Sequence, residues 1–363
     1  MLKKELPISS KPLISSECWT YYKFAVTQDK NHFNFWLANH MRLSLLDNGS
    51  AVFGENAMAY PLSYFSDILN IEEADILYVK PIQITNFIIE QINNNKYVLL
   101  DLNYKKIIKQ DSSGFRLHET LVYGYDCETK EFLTPVLTKG NFKPKRISFE
   151  TLISAYTDAR NYYYQDNIRK FNRRRWFYGI TIITPKTVYK NTNAYFDFIC
   201  RLNWEMCDNI YTRCSYAESD NRSYLCKYYT GGSCLLHMST LIEHLLIDEI
   251  KLDDLRRYTK SCLKIYENHN IILRLMKWFI SDIDETNKLL ISSCSEYERC
   301  CETMYNNIML LYKCQMVSNI NTLLLIKDEL KSLYSVEKIV INNFIREATK
   351  SYTTFLNNCK EMH

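Results

Sequence analysis

Apolar positions change their period near residue 190. Before it, short apolar runs of strand length alternate with helix-spaced stretches; after it, apolar residues recur at three and four with little interruption. The change predicts an α+β chain of two domains, with helices and an antiparallel sheet in residues 1–190 and an α-helical bundle in residues 191–363. In the first domain Phe35 to Leu46 has helical spacing, and Asn48-Gly49 offers a stop of the kind that ends helices. Ile82 to Ile92 predicts a second helix. After Asn93-Asn94-Asn95, the run Tyr97 to Leu102 reads as a buried strand. Glu119 to Val136 predicts a hairpin that turns at Asp126-Cys127-Glu128-Thr129-Lys130 and returns through Phe132 and Leu133. A helix from Phe149 to Tyr156 then leads to a strand from Trp176 to Ile183, which Pro185 closes.

In the second domain Leu255, Tyr258, Cys262, Ile265, Tyr266, His269 and Leu273 form one stripe for burial against other helices. Two long helices are predicted, near Asp282 to Met316 and Ile320 to Leu356, neither interrupted by proline or glycine. The polar interval from Thr212 to Gly232 predicts a loop or an inserted excursion.

Composition narrows the class. A chain of 363 residues with 47% hydrophobic content suffices for two packed domains. No basic start leads into an apolar core at the N-terminus, and no run of about 18 apolar residues occurs, so a cytoplasmic protein without a membrane partner is expected. Thirteen cysteines, an odd number without an export signal, read as reduced thiols. Cys200, Cys207 and Cys214 recur every seven residues, whereas zinc sites want pairs about two to four apart, so no metal is expected. A net charge of +4 is small for this length and argues against a nucleic-acid partner. The basic run Arg169, Lys170, Arg173, Arg174 and Arg175, beside Trp176 and Phe177, reads as a solvated turn more readily than as a site for an acidic partner.

The chemistry turns on His118, at the start of the apolar strand His118-Glu119-Thr120-Leu121-Val122. A histidine held on a rigid strand serves as a general base once a nucleophile comes within reach. Cysteine is its commonest partner in acyl transfer, because an adjacent imidazolium lowers the thiol pKa. In papain-like folds the cysteine opens an N-terminal helix and the histidine follows on a sheet strand; Cys18 is the only cysteine before the sheet. Ser15-Ser16-Glu17 offers capping groups, and a thiolate in the first turn gains from the helix dipole. An unpaired cysteine is more often simply buried. Cys127 falls at the hairpin turn, far from His118 along the strand, and His32, His40 and His269 read as surface or structural residues. Cys294, Cys300, Cys301 and Cys314 fill helix faces.

Five segments carry a family resemblance: Glu17-Cys18-Trp19-Thr20, Trp36-Leu37-Ala38-Asn39-His40, Tyr97 to Tyr104, His118 to Asp126, and Ile265-Tyr266-Glu267-Asn268-His269 through Trp278. In their order the chain resembles the butirosin biosynthesis protein H N-terminal family and its relatives in nonribosomal-peptide gene clusters. The resemblance implies a papain-like, cysteine-peptidase-like domain used for amide formation. An acyl group passes from a carrier-protein thioester to Cys18, with His118 as base, and then to an amine acceptor. No cofactor is bound by the chain; phosphopantetheine on the acyl or peptidyl carrier protein is the substrate arm. Enzymes of this fold carry an Asp or Asn on the strand after the histidine, where Leu133, Thr134, Pro135 and Val136 stand here, so Asn141 and Asp101 are the candidates for the third residue. A Cys-His dyad is open as well. So are a non-catalytic binding or scaffold protein that kept the fold, and a cysteine protease.

Overall fold

The computed structural model describes residues 2–30, 32–54, 64–108, 115–138, 141–164, 179–189, 191–217, 222–247, 252–317 and 319–361. The chain divides into two units, Met1–Phe33 with Asn56–Tyr189 and Asn34–Glu55 with Lys190–His363. Its first elements are β1 (Lys3–Glu5), α1 (Cys18–Thr27), α2 (Phe33–Leu37), β2 (Leu43–Leu46), β3 (Ala51–Phe53), β4 (Leu69–Asp75), α3 (Pro81–Asn93), β5 (Tyr97–Asn103) and α4 (Tyr104–Ile108). There follow β6 (Leu117–Val122), β7 (Gly124–Asp126), β8 (Glu131–Thr138), β9 (Asn141–Ser148), α5 (Phe149–Tyr163) and β10 (Gly179–Pro185). The remainder is α6 (Ala194–Met206), β11 (Ile210–Ala217), β12 (Arg222–Thr230), α7 (Ser233–Ile247), α8 (Leu252–Ile283), α9 (Lys288–Met316) and α10 (Ile320–Glu361). The fold is thus α+β with antiparallel sheets and a helical C-terminal region. The basic run 169–175 and the beginning of the strand expected at Trp176 lie outside the described residues.

The first unit holds two antiparallel sheets, of order β4-β10-β5-β6 and β1-β7-β8-β9. All seven residues of β5 are buried, as an apolar run between covered faces should be. Helix α3 begins at Pro81, where a missing N–H is harmless, and buries Ile84, Ile88 and Ile92 on one face. Helix α5 starts at Ser148, whose hydroxyl accepts from Thr151 N, and buries Leu152, Ala155, Tyr156, Ala159 and Tyr163. The expected hairpin forms only in its distal part. Strand β6 pairs with β5, and β7 alone pairs with β8 around the turn. Tyr123, between β6 and β7, donates to Leu133 O at 3.1 Å and accepts from Leu6 N at 2.8 Å, so one stretch of chain passes from the first sheet to the second.

The second unit corrects three expectations. The helix foreseen from Phe35 to Leu46 ends at Leu37, because Leu43–Leu46 pairs with β3 and β12. The Asn48-Gly49 signal closes a hairpin: Leu46 N bonds Ser50 O at 2.9 Å, and Gly49 takes a φ of 81°, the left-handed end of a three-residue turn. A side chain at Gly49 would also meet the Tyr258 ring at 2.4 Å. The interval Thr212 to Gly232, expected as a loop, contains most of the β11–β12 hairpin, and β12 joins β2 in a sheet of order β11-β12-β2-β3. Residues 191–363 are therefore not a pure helical bundle. The third correction is small: α8 runs on to Ile283, and the next helix starts at Lys288, where the Asn287 side chain caps Leu289 N and Leu290 N. Many of the abundant aromatics serve this core, with Trp278 stacked on Tyr195 at 4.8 Å and edge-on to Phe35 at 5.3 Å.

A buried polar network fixes α2 within the second unit. The Arg201 guanidinium donates to Leu37 O at 2.9 Å, His40 O at 2.6 Å and Met41 O at 3.2 Å, and to Asn268 Oδ1 at 3.0 Å. The carbonyls at the end of α2 and just beyond it thus meet a cation. Met41 leaves the helix with a φ of 60°. Two of the segments that carry the resemblance, Trp36 to His40 and Ile265 to His269, meet here. Nearby, His269 holds Ile265 O through Nδ1 at 2.7 Å and sets Nε2 3.2 Å from Glu337 Oε1, to which Tyr297 donates at 2.9 Å.

Arg201→Met leaves Glu205 buried without its cation and takes one donor from each of the carbonyls of Leu37, His40 and Met41, and is expected to lower the stability of the second unit by about 3–5 kcal/mol in urea unfolding. The His269–Glu337 pair makes a pH signature. Burial opposes the charge on each, but the partner prevails: the His269 pKa lies above 6.5 and the Glu337 pKa below 4.5. The histidine contribution is complete below 6.5 and fades as pH rises through its raised value; the glutamate contribution is complete above 4.5 and fades as pH falls through its lowered value. The stability advantage of wild type over Glu337→Gln, measured by chemical denaturation across pH, is expected to peak between 4.5 and 6.5.

Candidate active site

Helix α1 opens at Cys18 after Glu17, whose backbone is extended and whose side chain makes no cap bond. Residues Thr20 through Gln28 are all buried, the mark of a helix enclosed on every side. Its first turn carries no acidic residue, and the carboxylate at its positive end is that of the capping residue Glu17, whose Oε2 accepts from the Thr20 hydroxyl at 3.4 Å. The Cys18 and Asn141 side chains lie outside the described residues. In backbone terms Cys18 is the first residue of α1, and Asn141 opens β9, paired with Thr138 at the tip of the β8–β9 hairpin.

His118 lies on β6 opposite Leu102. Its ring stacks on Tyr104 with centroids 4.5 Å apart, and the Arg116 guanidinium stands 5.8 Å from the far partner's ring centre. Nδ1 lies 2.6 Å from Glu119 O. A carbonyl only accepts, so Nδ1 carries the proton and Nε2 presents its lone pair. No described residue hydrogen-bonds Nε2. Burial lowers the His118 pKa, with Arg116 acting in the same direction and the Glu119 carbonyl opposing. The ring is therefore neutral at neutral pH, in the tautomer a general base requires.

Asp101 is not part of this arrangement. It pairs across the ladder with Glu119, the residue after His118, so its side chain leaves the opposite face of the sheet. There its Oδ2 accepts from the Tyr163 hydroxyl. Burial pushes the Asp101 carboxyl up to about 7, with Glu119 adding to the rise and both Tyr163 and Lys23 opposing it. Glu119 on the same face receives Lys23 Nζ at 3.0 and 3.2 Å, an ion pair of 1% and 8% exposure that ties α1 to β6. Leu133, Thr134, Pro135 and Val136 are buried in β8. The structure thus joins the helix of Cys18 to the strand of His118, and it separates Asp101 from His118.

No protein-family model matches this chain, and no curated protein matches it. Among the described residues no cluster of histidine, cysteine or acidic side chains suits a metal ion, and no helix is long and apolar enough to cross a membrane. The described cysteines are free thiols, with Cys294, Cys300, Cys301 and Cys314 buried in α9.

Sequence reasoning passed over Lys23, Glu119, Tyr104 and Tyr163. For the first two a signal was present: Lys23 interrupts the apolar stretch Trp19 to Val26, and Glu119 interrupts a buried strand. Charges in such runs are rarely buried unless paired. For His118 the expected observation is an Nδ1–H tautomer and a titration midpoint below 6.5, read from imidazole nitrogen shifts by NMR; Arg116→Gln should bring the midpoint back toward that value.

Proposed function

We propose that the protein is a cysteine-dependent acyltransferase that forms amides, with Cys18 as nucleophile and His118 as base in a papain-like arrangement. The observation that carries this reading is the His118 ring, whose Nδ1 proton is held by a backbone carbonyl while Nε2 is left basic, on the strand tied to the helix that Cys18 begins. The resemblance to the butirosin biosynthesis protein H N-terminal family supports it. Because the Glu119 carbonyl already orients the imidazole, a Cys-His dyad needs neither Asp101 nor Asn141.

In this reading His118 Nε2 takes the proton from the Cys18 thiol, and the thiolate attacks the carbonyl of a carrier-protein thioester. The C–S bond to the phosphopantetheine arm breaks, and its sulfur leaves with the proton from the imidazolium. The amine acceptor then attacks the acyl-cysteine and gives its proton to Nε2; the new amide leaves, and Cys18 is reprotonated. Thioester to amide is downhill, so the enzyme's task is to position the amine and exclude water. Phosphopantetheine belongs to the carrier, and the chain itself needs no cofactor for these steps.

The test is intact-protein mass spectrometry after incubation with acylated carrier proteins. Wild type is expected to gain an acyl mass that an amine discharges as amide, and Cys18→Ala to gain none. Acylation of Cys18→Ala to the same extent would overturn the covalent mechanism. No adduct from any carrier, with Cys18 inert to iodoacetamide, would favour a binding or scaffold role.

A further inference from the structure

Lys23 is an improbable residue for its position. It lies in a helix buried on all sides, flanked by Tyr21, Tyr22, Phe24, Ala25 and Val26, and is itself 1% exposed. Burying an ammonium and a carboxylate is not needed for stability, since apolar pairs of similar volume commonly serve as well or better. What an ion pair supplies and an apolar contact does not is a fixed direction. Lys23 Nζ reaches both oxygens of Glu119, at 3.0 and 3.2 Å, and so sets the register of α1 against β6.

Glu119 has a second part in the site. Its backbone carbonyl, 2.6 Å from Nδ1, is the group that fixes the His118 tautomer. Among the described residues strand β6 is the edge of its sheet, with β5 on one side only, so no second described ladder holds the peptides of β6 in place. Side-chain anchorage of Glu119 takes that role. The groups that face this centre are Lys23 from α1, Asp101 from β5 and Tyr163 from α5 on one side of the sheet, and Tyr104 and Arg116 around His118 on the other.

We propose that Lys23 is a positioning residue of the Cys18–His118 centre: clamped on Glu119, it fixes the first helix against the His118 strand and holds the Glu119 peptide where its carbonyl keeps Nδ1 protonated and Nε2 basic. The inference rests on the reading of Cys18 and His118 as nucleophile and base. Lys23 acts through Glu119.

The experiment is the pH dependence of iodoacetamide alkylation at Cys18, followed by peptide mapping, in wild type, His118→Ala and the double variant Lys23→Met/Glu119→Leu, which removes both charges together. With the wild-type unfolding midpoint retained, the double variant is expected to lose about tenfold to a hundredfold in rate at neutral pH, and its profile to move toward that of a free thiol near ~8.5. A wild-type profile in the folded double variant overturns the inference, and so does a lowered unfolding midpoint with an unchanged profile. Lys23→Met, which removes the clamp and leaves the Glu119 peptide in place, provides a second reading should the double variant not fold: a shifted profile supports the positioning role, and an unshifted one overturns it. If wild type and His118→Ala share one profile, the dyad fails and the inference falls with it; a response to His118→Ala alone removes only the inference.

Discussion

The ion pair between Lys23 and Glu119 is the constraint around which the first unit is arranged. A charge taken out of water has to meet its opposite, or it neutralises or unfolds what surrounds it. Lys23 sits among aromatic and aliphatic neighbours of a fully enclosed helix, and Glu119 among the apolar residues of a sheet strand, so each makes the other's position obligatory. Asp101 then becomes the surplus acid of the cluster. Burial, with Glu119 beside it adding to the rise, pushes its carboxyl up to about 7, and the Tyr163 hydroxyl holds it.

The second unit solves the same problem with a different cation. Arg201 is fully buried and spreads its guanidinium over the carbonyls of Leu37, His40 and Met41 and the amide of Asn268. The planar fork of arginine suits several acceptors at once, where a lysine would suit one direction. Its partner Glu205, 3.8 Å away, has its pKa raised by burial, with Arg201 opposing. The short helix after Phe33, the strand that follows and the long helix α8 are all held through this one side chain.

The candidate site depends on how a histidine can be oriented. A carboxylate behind an imidazole stabilises the imidazolium and raises basicity; a backbone carbonyl fixes the tautomer while adding less charge. His118 has the carbonyl, in a half-buried setting beside the Arg116 cation, and so stays a neutral base near neutral pH. Such a base fits the proposed capture of a proton from a thiol, or from an amine as it attacks.

Local signals in the sequence determined a good deal. The buried strand at Tyr97, the helices at Ile82, Phe149 and beyond residue 252, and the turn at Asp126 to Lys130 follow from periodicity and turn chemistry, which act over a few residues. The candidate roles of Cys18 and His118 likewise came from residue type, order along the chain and resemblance. Tertiary structure decided what no local window contains. Leu43–Leu46 is helical by spacing and a strand by partnership, since β3 and β12 offer it ladder bonds. Thr212 to Gly232 is polar and reads as a loop, yet pairing makes it mostly hairpin. Asp101 was a fair candidate from position, but one residue of offset across the ladder sends its side chain to the face away from His118. Charges buried in apolar runs were visible all along; which opposite charge meets each of them is set by contacts 96 residues apart, and only the folded chain supplies those.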